Sequence, residues 1–197
     1  MHDRVMVFID YQNVTATARE RFPGVTGMRT FTHIDPMRLA GLIVSRRSRQ
    51  SMVSGVRVYR GRPDPRRQGG AAAANDLQAV AWERDRRVTA VRRPLRYPKG
   101  FPLDPPQEKG IDVAIAVDFL RLAFGRAFDV GVIVSHDTDL LPALEAVMDL
   151  GLAHVETAGW DRRNRLQFPG TRLPWFHILR EEDLIAVKDD IDYLRNR

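Results

Sequence analysis

The chain has 197 residues, 44% of them hydrophobic and 28% charged, which is the balance of one globular domain with its own core. Its formal net charge of +6 attracts polyanions, although an arginine-rich source proteome explains the same charge equally well. Cysteine is absent, which excludes disulfides, thiolate nucleophiles and cysteine-ligated metals and leaves oxygen and imidazole as the only metal ligands.

Strand-like apolar runs alternate with helix-like segments, a pattern that predicts an α/β domain with a mostly parallel sheet. The first strand is Val5–Ile9, and the first helix follows at about 14–21. The remaining strands are predicted at 53–59, 88–91, 131–135, 153–157 and 175–179, and the remaining helices at 35–48, 71–84, 111–124, 140–150 and 182–194. Two segments rich in Pro, Gly and Arg, 61–70 and 92–110, are predicted to be loops.

Nothing in the sequence suggests a membrane segment. No apolar run approaches the roughly 18–20 residues that a bilayer span needs. The first residues lead directly into a strand, without the basic start and long apolar region of a signal peptide. We therefore expect a cytoplasmic protein.

Four aspartates fall where predicted strands end or helices begin. Asp10 ends the first strand, Asp112 opens an apolar helix, and Asp137 and Asp139 follow the strand 131–135. Because the carboxyl ends of parallel strands line the binding crevice of an open sheet, these carboxylates are expected to converge. Their mutual repulsion favours a divalent cation, and oxygen ligands favour Mg²⁺ or Mn²⁺. Such cations activate water and offset charge on a phosphate, which is the chemistry of phosphodiester hydrolysis.

Most of these aspartates also have a simpler interpretation. Asp10 can be a turn residue, Asp112 can stabilise the positive end of its helix, and Asp139 can cap the helix that begins at Leu140. Asp137 is the hardest to explain otherwise, because nothing local requires a second carboxylate there. All the simpler interpretations must hold together for the metal site to vanish.

Other polar residues near these positions are assigned lesser roles. Asn13 can cap the first helix or orient Asp10, and a lone histidine such as His136 is more often structural than catalytic. Asp118 falls on the face of its helix that we expect to be exposed, where an ion pair with Arg121 is its expected role.

The first basic loop offers candidate phosphate contacts, although a solvated loop explains its arginines equally well. Trp160 and Phe168 can stack on unpaired bases, but packing is the commoner fate of such side chains. The candidate substrate-binding residues are Arg60, Arg62, Arg66 and Arg67.

Three segments in order resemble the motifs of NYN domains. They are Phe8–Asn13 (FIDYQN), Lys109–Val113 (KGIDV) and Val134–Pro142 (VSHDTDLLP), and the resemblance covers roughly residues 4–158. It implies a three-layer α/β/α PIN-like fold and a ribonuclease site that uses Mg²⁺ or Mn²⁺. The acidic residues that the resemblance implies are Asp10, Asp112, Asp137 and Asp139. The residues that it implies as their support are Asn13 and Ser135. His136 stands where that family more often has a small residue.

These observations lead to one main hypothesis and two weaker ones. The first is a metal-dependent endoribonuclease acting on single-stranded RNA. Its nuclease domain is expected at 1–160, with an extension at 161–197 packed on the same domain. A homodimer is a reasonable expectation for this fold. The alternative is a catalytically inactive RNA-binding or regulatory module with the same fold. A phosphatase of the HAD type is disfavoured, because Gln12 stands where that class needs a second aspartate.

Overall fold

The computed structural model describes residues 2–27, 33–161, 166 and 174–193, and shows strands and helices in alternation. The strands are β1 Asp3–Asp10, β2 His33–Ile34, β3 Ser51–Arg62, β4 Val88–Pro94, β5 Val130–Val134, β6 His154–Trp160, β7 Trp175–Leu179 and β8 Lys188–Asp189. The helices are α1 Tyr11–Arg21, α2 Pro23–Thr26, α3 Pro36–Ser45, α4 Gly69–Trp82, α5 Ile111–Phe124, α6 Leu141–Asp149 and α7 Glu181–Ala186, and a 3₁₀ turn spans Thr138–Leu140.

Six strands form one parallel sheet in the order β4-β3-β1-β5-β6-β7. One face is covered by α1, α3 and α7, whose apolar residues join a core cluster with β1, β3 and β5. The other face is covered by α5 and α6, which bury a second cluster built around Phe8, Phe119 and Phe128. The predicted three-layer α/β/α architecture is therefore confirmed.

The chain order places a crevice above the centre of the sheet. From β1 the chain proceeds to β3 and β4 on one side, and from β5 it proceeds to β6 and β7 on the other. In parallel α/β sheets the crevice outside the carboxyl ends of the strands at such a reversal is the usual binding site. Ile9 of β1 pairs with Val134 of β5, so the residues that follow both strands meet at this crevice.

Several boundaries differ from the sequence prediction for local reasons. Helix α1 begins at Tyr11 rather than near residue 14, because the side chain of Asp10 accepts a hydrogen bond from the Asn13 N–H and caps the helix. The segment 92–110 is not wholly irregular: β4 continues to Pro94, and Arg96 and Gln107 form an antiparallel bridge. The predicted helix at 182–194 is wrong beyond its first turns, since α7 ends at Ala186 and β8 pairs with β2.

Two further expectations concern aromatic residues and membrane insertion. Trp160 is 1% exposed and packs edge-on against Phe22, so its side chain belongs to the core and not to a base-stacking surface. Phe168 lies outside the described residues. Within those residues, every helix is too short or too polar to cross a bilayer.

Candidate metal centre

Three carboxylates converge at the crevice above β1 and β5. Asp10, Asp112 and Asp137 each present an oxygen atom, and these three atoms lie within 4.8 Å of one another. They come from the end of a strand, the first turn of a helix and the turn after another strand. The fold thus brings Asp10 next to two carboxylates that lie more than a hundred residues further along the chain.

Asp10 is the most buried member, with 4% of its surface exposed. One of its oxygens accepts a hydrogen bond from the Ser135 hydroxyl at 2.9 Å, and the other accepts one from the Asn13 N–H at 3.3 Å. Burial nevertheless raises the pKa of Asp10 to about 7, because desolvation outweighs these two hydrogen bonds. The negative charges of Asp112 and Glu108 raise it further.

Asp112 enters the site from the first turn of α5. The helix is preceded by Gly110 at φ 75°, a left-handed conformation that glycine adopts without a steric cost. Asp112 is part-buried, and this burial raises its pKa, as do the charges of Asp137 and then Asp139. Its location in the first turn also satisfies the helix dipole, so the simpler interpretation and the metal-site interpretation are compatible.

The turn after β5 is organised by hydrogen bonds from its own residues. The Ser135 hydroxyl that donates to Asp10 also accepts the Asp137 N–H at 3.0 Å. Asp137, not Asp139, is the cap here: its side chain accepts the Asp139 N–H at 2.9 Å and begins the 3₁₀ turn. The expectation that Asp139 caps the helix at Leu140 is therefore wrong. Asp139 is exposed and lies outside the group of three, although its charge reaches Asp112.

Asn13 and His136 hold this turn against its neighbours. The Asn13 side-chain oxygen accepts the His136 N–H at 3.0 Å, which ties α1 to the turn after β5. The His136 ring nitrogen Nε2 accepts the Trp160 N–H at 3.0 Å, which ties the same turn to the end of β6. His136 thus has the structural role expected for a lone histidine, and Asn13 connects elements rather than capping its own helix.

Glu108 also faces this region, and the sequence analysis missed it. Its carboxylate accepts a hydrogen bond from the Gly61 N–H, and burial raises its pKa. The negative charge of Glu108 raises the pKa of Asp10, and the negative charge of Asp112 raises that of Glu108. The acidic residue four positions before Asp112 was the available signal, but only the folded loop shows that it turns towards the sheet.

Two of the arginines expected to contact phosphate are occupied by other partners. Arg60 donates to Gln78 and stacks over the rings of Tyr11 and Trp82, 5.0 and 5.8 Å from their centroids. Burial lowers its pKa. Arg62 forms two hydrogen bonds with Asp76, at 2.8 and 2.7 Å. Both guanidinium groups help to hold α4 against β3.

The other two expected arginines lie on the loop between β3 and α4. Arg66 is exposed, and its side chain forms no ion pair within the described part of the chain. Arg67 is 4.0 Å from the Asp64 carboxylate and stacks over Tyr97, 5.0 Å from the ring centroid. Of the four candidates, Arg66 is thus the most available to a ligand.

Asp118 is more buried than the sequence suggested. Its predicted ion pair with Arg121 is present at 3.1 Å. Its other oxygen accepts hydrogen bonds from Arg57 at 2.8 Å and from the Tyr59 hydroxyl at 3.0 Å. Burial favours the neutral acid, but these hydrogen bonds and the Arg57 charge lower the pKa of Asp118 overall. The expectation of an exposed position is wrong because β3 supplies partners that a helical projection does not show.

The group of three lacks the kind of cationic partner that two other buried carboxylates have. Glu156 is paired with Arg47 and His177, and Asp183 with Arg46. In the described residues, no lysine or arginine forms an ion pair with any of the three. Uncompensated carboxylates this close are costly, and three hard oxygen donors are the ligands that Mg²⁺ and Mn²⁺ prefer. The residues present therefore fit a divalent cation.

Comparisons with known proteins agree with this architecture. The family model described as NYN domain matches residues 4–165, a range that contains all three carboxylates. A crystal structure of a protein of unknown function, VPA0982 from Vibrio parahaemolyticus RIMD 2210633, is similar in fold: it is 18% identical, with a TM-score of 0.53 over 92% of this chain and 95% of that one. No curated protein matches the chain. The chain belongs to the NYN domain family, a family of PIN-like nucleases.

Proposed function

We propose that this chain is an endonuclease that hydrolyses phosphodiester bonds of RNA with the help of bound Mg²⁺ or Mn²⁺. The observation that carries the proposal is the convergence of Asp10, Asp112 and Asp137 without a cationic partner, in a fold whose family is one of nucleases. The net positive charge of +6 is consistent with a polyanionic substrate.

Each residue of the site has a defined task in this proposal. Asp10, Asp112 and Asp137 would hold the cation. Ser135 bridges two of them through its hydroxyl group, and Asn13 fixes the turn on which Asp137 lies. When bound, the cation supplies Lewis acidity that makes water a better nucleophile and offsets the charge that builds on the phosphodiester.

The acid–base state of Asp10 connects metal binding to pH. Since burial raises its pKa to about 7, part of the metal-free protein carries a neutral Asp10 at neutral pH. Metal binding requires the ionised form and therefore releases a proton. Ser135 and the Asn13 N–H favour that ionised form by donating to both oxygens.

The test is cleavage of a labelled single-stranded RNA by the purified chain, followed on a gel. We expect products with Mn²⁺ or Mg²⁺ and none in EDTA. Asp10→Asn and Asp137→Asn should both reduce cleavage to the EDTA background. Asp129→Asn is the matched control, because Asp129 is an exposed aspartate paired with Arg4 at the opposite edge of the sheet, and it should keep wild-type activity.

Two outcomes would contradict the proposal. Metal-dependent cleavage by both site variants at the wild-type rate would assign the activity to a different site or a contaminant. Salt-dependent RNA binding without cleavage under any metal would instead support the inactive RNA-binding module.

A further inference from the structure

Two adjacent arginines of β4 take opposite sides of the strand. Arg92 donates to Asp76 and Asn75, so its side chain lies against α4. Alternate residues of a strand point to opposite faces, and Arg93 accordingly lies against the start of α5: its Nε atom is 3.7 Å from the place where a β-carbon on Gly110 would stand. The guanidinium of Arg93 is thus held next to the helix turn that carries Asp112.

Among the residues that the structure describes, Arg93 has no acidic partner that would offset its charge. It is exposed, and no acidic side chain of the described residues forms an ion pair with it. Two nearby arginines are engaged instead: Asp76 accepts hydrogen bonds from Arg62 and Arg92, and these bonds, that of Arg62 first, lower the pKa of Asp76 to about 2. Arg93 therefore remains available for an anion from outside.

The segment that follows β4 carries two more available cations, Arg96 and Lys99. Both are exposed, and neither forms an ion pair with a described residue. The segment itself is ordered by backbone hydrogen bonds of 2.8 and 2.9 Å between Arg96 and Gln107.

A tyrosine then fastens this segment to the neighbouring loop. The Tyr97 hydroxyl accepts the Asp64 N–H at 2.9 Å and donates to Gln68 at 2.8 Å, and its ring packs edge-on against Phe101. The cations on either side of Tyr97 are consequently presented from a fixed support. Three cations within seven residues of one segment carry like charges that an external polyanion would offset.

We propose that Arg93, Arg96 and Lys99 form a surface that binds successive phosphates of an RNA strand as it passes the carboxylate group of Asp10, Asp112 and Asp137. Phosphate binding is thus assigned to this surface and not to Arg60 and Arg62, whose guanidinium groups are bound to other residues of the fold. The inference rests on the proposed function for the identity of the polyanion, and it concerns binding rather than chemistry.

The test separates binding from cleavage by measuring binding in EDTA. Fluorescence anisotropy of a labelled single-stranded RNA is recorded over a series of salt concentrations for the wild type, Arg93→Ala and the triple variant Arg93→Ala, Arg96→Ala, Lys99→Ala. Arg86→Ala is the matched control, because Arg86 is an exposed arginine without an ion pair in the described chain and precedes the opposite end of β4. Arg93→Lys preserves the charge.

A single strand loses about 0.7 from the slope of log K against log salt for each phosphate contact removed. We expect Arg93→Ala to lower the magnitude of the slope by about 0.7 and the triple variant to lower it by about 2, with Arg93→Lys and Arg86→Ala unchanged. A triple variant with the wild-type slope, or a wild type without salt-dependent binding, would overturn the inference. Since cleavage is measured separately with Mn²⁺, a wild type that binds through these residues but does not cut would contradict only the proposed function.

Discussion

The metal-free fold disfavours the negative charge of the Asp10 carboxylate. Burial raises its pKa from 3.8 to about 7, and each pKa unit corresponds to about 1.4 kcal/mol. Keeping Asp10 ionised in the metal-free protein therefore costs on the order of 4 kcal/mol at pH 8. Asp10→Asn removes the charge, while its amide oxygen can still accept the Asn13 N–H. We expect the metal-free variant to be more stable than the wild type at pH 8.

The gain in stability should depend on pH in one direction. An unfolded chain releases the Asp10 proton near its ordinary pKa of 3.8, whereas the folded protein keeps it up to about pH 7. Between these values the folded state binds more protons, so this group makes the wild type less stable as the pH rises, with no further change above the window. Asparagine does not titrate, so the difference between variant and wild type grows across the same window.

Urea unfolding in EDTA at pH 5 and pH 8 measures this difference. A gain of about 2–4 kcal/mol at pH 8 corresponds to a rise in Tm of roughly 5–15 °C for a chain of this size, and the gain at pH 5 should be smaller. In a separate thermal unfolding experiment without EDTA, Mn²⁺ should raise the Tm of the wild type and leave that of Asp10→Asn unchanged. Asp129→Asn should give the same difference from the wild type at both pH values. Equal stability of Asp10→Asn and wild type at both pH values would refute the reasoning.

The remaining predictions concern metal binding and packing. Asp112→Asn should abolish Mn²⁺ binding in a calorimetric titration, and Asp139→Asn should change the affinity only slightly. If both variants lost Mn²⁺ binding equally, Asp139 would belong to the metal site as well. Asp118→Ala should lower the free energy of unfolding by about 1–3 kcal/mol, since it leaves the half-buried Arg57 without a carboxylate; a change below about 0.5 kcal/mol would be that of a surface residue. Gly131→Ala should lower the free energy of unfolding by about 1–3 kcal/mol or more, because two phenylalanine rings occupy the space of its methyl group; an unchanged urea midpoint would argue against this packing.

The carboxylate group could be predicted from the sequence because its geometry follows from strand order and helix phase. Asp10 and the turn after β5 follow parallel strands, and parallel neighbours end at the same edge of a sheet. Asp112 falls on the buried side of an apolar helix, whose Ile115 and Phe119 are buried as its periodicity predicts. These relations are local or topological, so they can be inferred from spacing.

The roles of the surrounding charges could not be predicted, because they depend on partners that only the fold brings near. Arg62 meets Asp76 across a loop, Arg57 meets Asp118 from another element, and Glu108 reaches a backbone N–H of β3. The sequence shows that these residues are charged, but it does not show which partners they meet. Whether an arginine is engaged or available is decided by side chains many residues away.

The contact between His136 and the end of β6 links two positions in a way that bears on how this family varies. The imidazole ring of His136 fills the space next to Gly159, so that a β-carbon there would overlap it. A histidine at one position therefore requires glycine at the other. A relative with a small residue at the position of His136 would have this volume free, and a larger side chain at the position of Gly159 could fill it. The two positions are thus expected to covary in an alignment of NYN domains, with the sum of their volumes nearly conserved.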